Sequence, residues 1–241
     1  MFIKFKTLAT ISEFGGGRLG IFFNPFYFAR RGLYQNISEL SKSIKGKVLD
    51  VGCGIKPYEK IFKTTRYIGL EIDTPLNRRY KKADYFYDGI TFPFEDETFD
   101  SVVSFQVFEH VFNPSEFLKE VHRVLRMNGY LLISVPFVWD EHEQPYDYGR
   151  YSSYGLKSIL DNNGFKIIMK RKSINDIRVI FQLINCYIYK VVMKYNSDNL
   201  SMFFRIFLFF PANLLGSLLY KFMPKNDDLY LDNIILAKKV K

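Results

Sequence analysis

Near-continuous apolar runs alternate with helically spaced segments through the middle of the chain. Lys47-Val48-Leu49-Asp50-Val51-Gly52 reads as a short buried strand ending in glycine, and Gly52-Cys53-Gly54 as the tight turn after it. Tyr67 to Asp73 is a second run, closing on acids. Phe99 to Phe105 is a third, and Tyr130 to Val135 a fourth, entered through Asn128-Gly129 and stopped by Pro136. Phe165 to Lys172 and Leu229 to Lys238, less apolar, read as a sixth and a last strand. From Asn113 to Met127, residues Phe117, Leu118, Val121, Val124 and Leu125 recur on one helical face, with Asn113 placed to cap and Pro114 at the first helical position. Ser152 to Asn163 reads as another helix, closed by Asn163-Gly164. Strands that are apolar throughout, with helices between them, predict an α/β fold whose parallel sheet is covered on both faces. Such sheets bind ligands at the carboxyl ends of their strands, near a topological switch point.

At 241 residues the chain accommodates one α/β domain with additions, or two small domains. A hydrophobic share of 48% is enough for a sizeable core. The net charge of +9 favours anionic partners (nucleic acid, acidic lipid, phosphate-bearing substrates) or simply forms a solvated basic face. Cys53 and Cys186 stand far apart, with no Cys-x-x-Cys pair or Cys/His cluster. Neither a disulfide framework nor a structural zinc is expected, and a reducing compartment fits. Met1 to Thr10 interleaves lysines with single apolar residues and lacks the apolar core of a secretory signal, so a cytoplasmic location is expected.

Asp50-Val51-Gly52-Cys53-Gly54 follows a strand, and a helix is expected after it. Its glycines let backbone approach a ligand closely. Because Ile55-Lys56-Pro57-Tyr58 comes next, the turn is not Gly-x-Gly-x-x-Gly, which argues against a nicotinamide cofactor. With four further segments this turn resembles the class I, Rossmann-like methyltransferases that depend on S-adenosylmethionine (SAM), of the type 11 kind. Ile68-Gly69-Leu70-Glu71 is similar to that family's second motif. Asp88 to Asp100 resembles its Asp-x-x-x-Leu-Pro-Phe-x-Asp-x-x-Phe-Asp segment, and Gln106 to Val111 its Leu-Glu-His-Val turn. Leu118 to Leu132 resembles its following helix and strand, with Asn128 in place of the first glycine. The resemblance covers about residues 44–173 and the final strand. It implies a seven-stranded, mostly parallel sheet with the last strand antiparallel. It divides the chain into an N-terminal aromatic and basic cap (1–45, with Gly15-Gly16-Gly17 as a flexible joint), a SAM-binding core (46–173), an apolar helical insertion between the last two strands (174–223) and a final core strand (224–241).

Carried over residue by residue, Asp50, Gly52, Cys53 and Gly54 would line the methionine and ribose end of SAM. Glu71 would take the ribose hydroxyls. Asp88, beside Gly89, would accept from the adenine amino group, or else simply form the turn. Gln106 would lie under the cofactor. SAM already holds an activated methyl, so the protein must align the acceptor and remove its proton. His142 is the candidate base. It lies on a loop after the fourth strand, with Asp147, Tyr148 and Arg150 shaping the acceptor pocket or fixing the loop. This segment resembles the His-x-x-Pro-x-Asp-Tyr-x-Arg-Tyr sequence of bacterial methyltransferases associated with glycan and lipid-linked sugar synthesis. His122 lies within a helix and reads as structural. Some quinone O-methyltransferases carry Glu-x-x-Glu-His at the post-strand turn and bind a metal there. Here Gln106-x-x-Glu109-His110 lacks one carboxylate, and no metal is expected.

Some fifty residues separate the last two strands, too many for a structureless loop. Leu200 to Met223 is almost long enough to span a membrane, but Arg205, Asn213 and Lys221 interrupt it and Pro211 would kink it. Arg178, Gln182, Asn185, Lys190 and Lys194 interrupt the segment before it. A helical hairpin lying on a membrane surface is the expectation, joined by Ile21 to Phe28; a helical cap or dimer interface is the alternative. The expected acceptor is a small molecule or a lipid-linked glycan at the inner face of the membrane. A quinone or other small lipid, and a non-catalytic SAM-binding role, are the alternatives. No base-flipping Pro-Pro-Tyr motif or nucleic-acid module is present, and oligomeric state is left open.

Overall fold

The computed structural model describes residues 17–195 and 202–240. The Met1–Thr10 segment, Leu200 and two glycines of the Gly15-Gly16-Gly17 joint lie outside the described residues. The chain divides into two compact units. One holds the described residues of Met1–Gln35 with Val138–Asp140 and Lys172–Asp232. The other holds Asn36–Phe137, Glu141–Arg171 and Asn233–Lys241.

The elements in chain order are α1 (Tyr27–Leu40), β1 (Lys47–Val51), β2 (Arg66–Ile72), α2 (Pro75–Tyr80), β3 (Tyr85–Tyr87), β4 (Phe99–Phe105), α3 (Pro114–Val124), β5 (Leu125–Pro136), α4 (Ser153–Asn162), β6 (Phe165–Ser173), α5 (Arg178–Tyr195), α6 (Met202–Leu219) and β7 (Asp232–Lys239). The strands form one seven-stranded sheet in the order β3-β2-β1-β4-β5-β7-β6. The pairs β1–β2, β1–β4, β2–β3 and β4–β5 are parallel. β7 runs the other way. Leu231 N donates to Ser173 O at the end of β6, and Val240 N donates to Gly164 O just before its start. The strand order reverses at β1 and β4, so the switch point lies between their carboxyl ends. The expected fold class, with its helical insertion before the last strand, is the one observed.

Strand residues on both faces are buried, as their continuous apolar runs require. Leu49, Ile68, Val102, Leu131 and Ile133 share a core with Phe117, Leu118, Val121 and Val124 of α3 and Leu156 and Leu160 of α4. The alternate residues Val48, Val103, Leu132 and Ile234 are also fully buried. Each wholly buried Leu or Phe contributes about 1.5–3 kcal/mol over its exposed state.

Four local features depart from the sequence expectation. No α-helix follows Gly54. Lys56 takes a left-handed φ of 55° and Pro57 follows it, so the chain makes turns and only a short 3-10 segment, Glu59–Ile61. α3 stops at Val124 rather than Met127, because Leu125 already pairs with Phe99 as a strand residue. Ser101 then pairs with Tyr130, so Asn128, at φ 67°, sits in a bulge inside the strand instead of a turn before it. β3 has only three residues, too few to register as an apolar run.

In the other unit, α5 and α6 form the apolar insertion, and three of its polar residues face inward. Gln182 Oε1 accepts from Ala29 N at 3.1 Å, and its Nε2 donates to Pro25 O at 2.7 Å. Asn213 Nδ2 donates to Ile21 O at 3.0 Å and Asn24 O at 3.1 Å, and Asn185 Nδ2 donates to Asn213 Oδ1 at 2.9 Å. Gln182, Asn185 and Asn213 are all fully buried. The segment Ile21–Phe28 therefore packs on the hairpin, with Phe22 stacked on Phe210 and Phe26 edge-on to Tyr189. Most of it is covered, Phe22 apart, so it does not join an outer apolar surface as the sequence suggested. The outward positions are a different set: Ile180, Ile184, Tyr187 and Val191 on α5, and Phe204, Phe207, Leu215 and Leu218 on α6. Among the described residues, no helix is long and apolar enough to cross a membrane.

Candidate active site

The parallel register explains how the first site residues meet. Asp50 of β1 pairs with Gly69 of β2, so Asp50 shares a sheet face with Tyr67, Gly69 and Glu71. The Tyr67 hydroxyl donates to Asp50 Oδ2 at 2.7 Å. Asp50 is almost fully buried, and burial pushes its carboxyl up to about 7. The Tyr67 bond pulls the other way, and the neighbouring Glu71 charge pushes it up further. Glu71, also buried, closes the turn: its Oε2 accepts from Gly54 N at 3.0 Å.

The two glycines of this turn are needed for different reasons. Gly52 has φ 70°, and a Cβ there would lie 2.4 Å from Val107 Cγ2. Gly54 has φ 53°, and an added Cβ would meet nothing within 4 Å. Gly52 is a packing requirement, while Gly54 borders open space, as a backbone that receives a ligand must. Cys53 turns inward, where its Sγ would lie 2.7 Å from a Cβ added at Gly69. Burial pushes its thiol well above the ordinary range, so it is a packing residue and not a thiolate. Lys56 crosses above Gly69, 2.5 Å from the same added Cβ, and pairs with Asp84, whose Oδ2 also accepts from Gly69 N at 2.7 Å.

After β3, Asp88 Oδ1 accepts from Ile90 N at 2.8 Å and Thr91 N at 2.9 Å. These bonds build the turn and hold the carboxyl below its usual range. Gly89 takes φ 89° with open space at its Cβ position. After β4, Gln106 adopts φ 56°, uncommon for a residue with a side chain, and its Nε2 donates to Ser134 Oγ at 3.2 Å. Two buried carboxylates close the strands β1 and β2, and open-faced glycines at Gly54 and Gly89 and a strained Gln106 follow the parallel strands β1, β3 and β4. Polar acceptors at strand ends with backbone open to a ligand fit SAM's ribose, amino group and adenine.

The loop after β5 brings the acceptor candidates together. Glu109, in the 3-10 turn Phe108–His110, anchors this loop by accepting from Tyr148 N at 2.8 Å and Gly149 N at 3.1 Å through its carbonyl. Arg150 grips Asp147 with two bonds, Nη1 donating to Oδ1 at 2.5 Å and Nη2 to Oδ2 at 2.7 Å. Asp147 Oδ2 also accepts from His142 N at 2.9 Å and lies 3.2 Å from His142 Nδ1. Burial opposes the Asp147 charge, but Arg150 and the His142 N–H hold its carboxyl down at about 2. The contact orients the imidazole and leaves Nε2 facing Glu109 Oε1, 3.8 Å away. Tyr148 is exposed and edge-on to Phe112, with ring centroids 5.2 Å apart. His122 lies in α3 against Phe165, away from this loop.

Sequence reading missed Tyr67, whose one sequence signal is its place two residues before Gly69, on the sheet face that Asp50 shares. It also passed over the Glu109 carboxylate as a neighbour of His142, since only the tertiary path of the post-β5 loop joins them.

Residues 49–133 match the family described as Methyltransferase domain. An uncharacterised protein of Methanocaldococcus jannaschii is 34% identical over 45% of this chain and 50% of its own length. A "probable S-adenosylmethionine-dependent methyltransferase" of Mycolicibacterium smegmatis is 34% identical over 37% of each. The chain thus spans half or less of the length of these curated relatives. Phosphoethanolamine N-methyltransferase 2 of Haemonchus contortus, solved with SAM, superposes with a TM-score of 0.53 at 20% identity, over 92% of this chain and 55% of that one. That identity speaks for fold alone. Fold, turn geometry and family match agree: residues 49–133 belong to a methyltransferase domain, set in a Rossmann-like sheet, whose cofactor is SAM.

Proposed function

We propose that the chain is an enzyme that methylates a hydroxyl of a glycan or lipid-linked sugar precursor at the cytoplasmic face of a membrane. SAM, when bound, supplies an electrophilic methyl on a sulfonium sulfur. Asp50 and Glu71 would hold its amino and ribose groups, Gly52, Cys53 and Gly54 would line it through their backbone, Asp88 and Gly89 would receive the adenine, and Gln106 would lie beside it after β4. His142 Nε2 takes the acceptor's hydroxyl proton. Asp147 fixes the tautomer through Nδ1, and Arg150 fixes Asp147. The buried Glu109 carboxylate, 3.8 Å from Nε2, favours the imidazolium that results.

One observation carries this reading: the Arg150–Asp147–His142 chain of contacts on the loop after β5. Exposed Tyr146 and Tyr148 on the same loop, with Phe112, suit stacking against a sugar ring. The outward apolar rows of α5 and α6 suit a lipid surface, with residues 174–223 as the docking insertion and 46–173 with 224–241 as the catalytic core. The test is methyl transfer from radiolabelled SAM into lipid-linked glycan extracts. The reading expects label in acid-labile, sugar-bearing lipid. Label in a quinone fraction would replace the acceptor class, and SAM binding without turnover on any pool would overturn the enzymatic reading.

A further inference from the structure

Three side chains of metal-binding type converge after β4 and β5. Glu109 Oε1 lies 3.8 Å from His110 Nε2 and 3.8 Å from His142 Nε2. The ligand atoms of all three fall within 4.8 Å of one another. A separation of 3.8 Å is too long for a hydrogen bond. Donors about 2.0–2.1 Å from a shared ion stand roughly 3.4 Å apart in a tetrahedron, so the three side chains draw together to share one.

The far nitrogen of each imidazole is already engaged. His110 Nδ1 lies 2.8 Å from Tyr146 O, and His142 Nδ1 lies 3.2 Å from Asp147 Oδ2. A histidine that ligates a metal characteristically gives its other N–H to a carbonyl or carboxylate, which sets the tautomer and aims the free nitrogen. Both histidines meet that condition, and their rings are held edge to face at 4.8 Å. Glu109 is wholly buried, while the two imidazoles remain partly open, so an ion has a path in.

We propose that Glu109, His110 and His142 bind a divalent transition-metal ion through two imidazole nitrogens and one carboxylate oxygen. Two nitrogen donors favour an ion such as Zn2+ or Co2+ over Mg2+ or Ca2+, which prefer oxygen. Three protein ligands leave a coordination position open. The sequence gives this turn one carboxylate too few for a metal; His142, from a different loop, supplies the missing donor. With the ion bound, His142 is a ligand, and the ion takes over the task of making an acceptor hydroxyl acidic, its proton leaving to solvent. The inference shares residues with the hydroxyl-methylation reading but stands on the ligand geometry alone.

The test uses the full chain, stripped with chelator and titrated with Zn2+ by calorimetry and with Co2+ by visible absorption. One equivalent of ion is expected, with the intense absorption of low-coordinate Co2+. His110→Gln and His142→Gln should each lower Zn2+ affinity by about 100-fold while thermal unfolding shows a folded chain. Glu109→Gln risks misfolding because the residue is buried, so the two histidine variants decide the matter. Failure of the folded wild type to bind Zn2+ and Co2+, or binding unchanged in both variants, overturns the proposal. A parallel SAM titration keeps the readings apart, since SAM binding without metal binding sinks only the metal site.

Discussion

The Tyr67 hydroxyl sits 2.7 Å from Asp50 Oδ2, and it is one of the few groups favouring ionisation of a carboxyl that burial has pushed up to about 7. The unfolded value is 3.8, so the folded chain without SAM holds a proton that the unfolded chain releases between about pH 4 and 7. Stability should therefore fall as pH rises through that window, by at most about 4 kcal/mol. Asp50→Asn should remove this slope and raise the melting temperature at pH 8 more than at pH 5. Equal melting shifts at the two pH values would contradict it.

The same proton should leave when SAM binds, because a cationic ligand favours the carboxylate. Calorimetry at pH 6 in buffers of different ionisation enthalpy should show net proton release, fading by pH 8.5. Tyr67→Phe should weaken SAM binding at pH 7 by about tenfold, the effect of losing one hydrogen bond to a charged group.

Gly52 and Gly54 should separate stability from binding. Gly52→Ala meets Val107 at 2.4 Å and should cost about 2 kcal/mol or more in unfolding measurements. Gly54→Ala meets nothing within 4 Å and should cost only about 1–2 kcal/mol of backbone strain. Gly54→Val should nonetheless abolish SAM binding in a chain that still melts cooperatively. A SAM affinity left intact in that variant would show that the ligand does not approach this turn.

His142→Ala should lower kcat by about 10²–10⁴ with SAM affinity unchanged. Asp147→Asn should produce most of the same loss, since it releases Nδ1 and Arg150 together. Arg150→Lys should fall between, because a lysine cannot make the two-pronged contact.

Phe207→Ser and Leu218→Ser change outward positions of α6. Co-flotation with vesicles rich in acidic lipid should fall severalfold while the melting temperature stays within a few degrees. Asn213→Ala, by contrast, leaves Ile21 O, Asn24 O and Asn185 Nδ2 without their shared partner and should cost about 1–3 kcal/mol.

How much of this was legible beforehand depended on whether the signal was local. β1, β2, β4 and β5 announced themselves as apolar runs. Residue type alone misled at the caps: Asn113, expected to cap α3, makes no side-chain cap bond, while Ser152, not singled out, accepts from Gly155 N at 3.2 Å at the start of α4. His142, Asp147 and Arg150 lie on one loop, and their contact followed from proximity in sequence. β3 was too short to see, and the turns after Gly54 were hidden by the helix the resemblance implied. Gln182, Asn185 and Asn213 read as polar breaks in an apolar surface, because composition cannot tell which side of a helix faces protein. Glu109 and His142 meet only through the path of the loop after β5, which no periodicity encodes.

Ser173 and Leu231 are hydrogen-bonded backbone to backbone, so the segment between them starts and finishes at one rung of the β6–β7 ladder. Loop closure costs only about 0.6 kcal/mol for each doubling of length. A chain built this way can accept a longer, shorter or foreign segment at that rung with little thermodynamic consequence for the sheet. The two α-helices there, together with the Ile21–Ala29 segment whose backbone they satisfy, are in effect one cartridge, and grafting both pieces as a pair onto a related chain is an engineering route that leaves β1, β2 and β4 untouched.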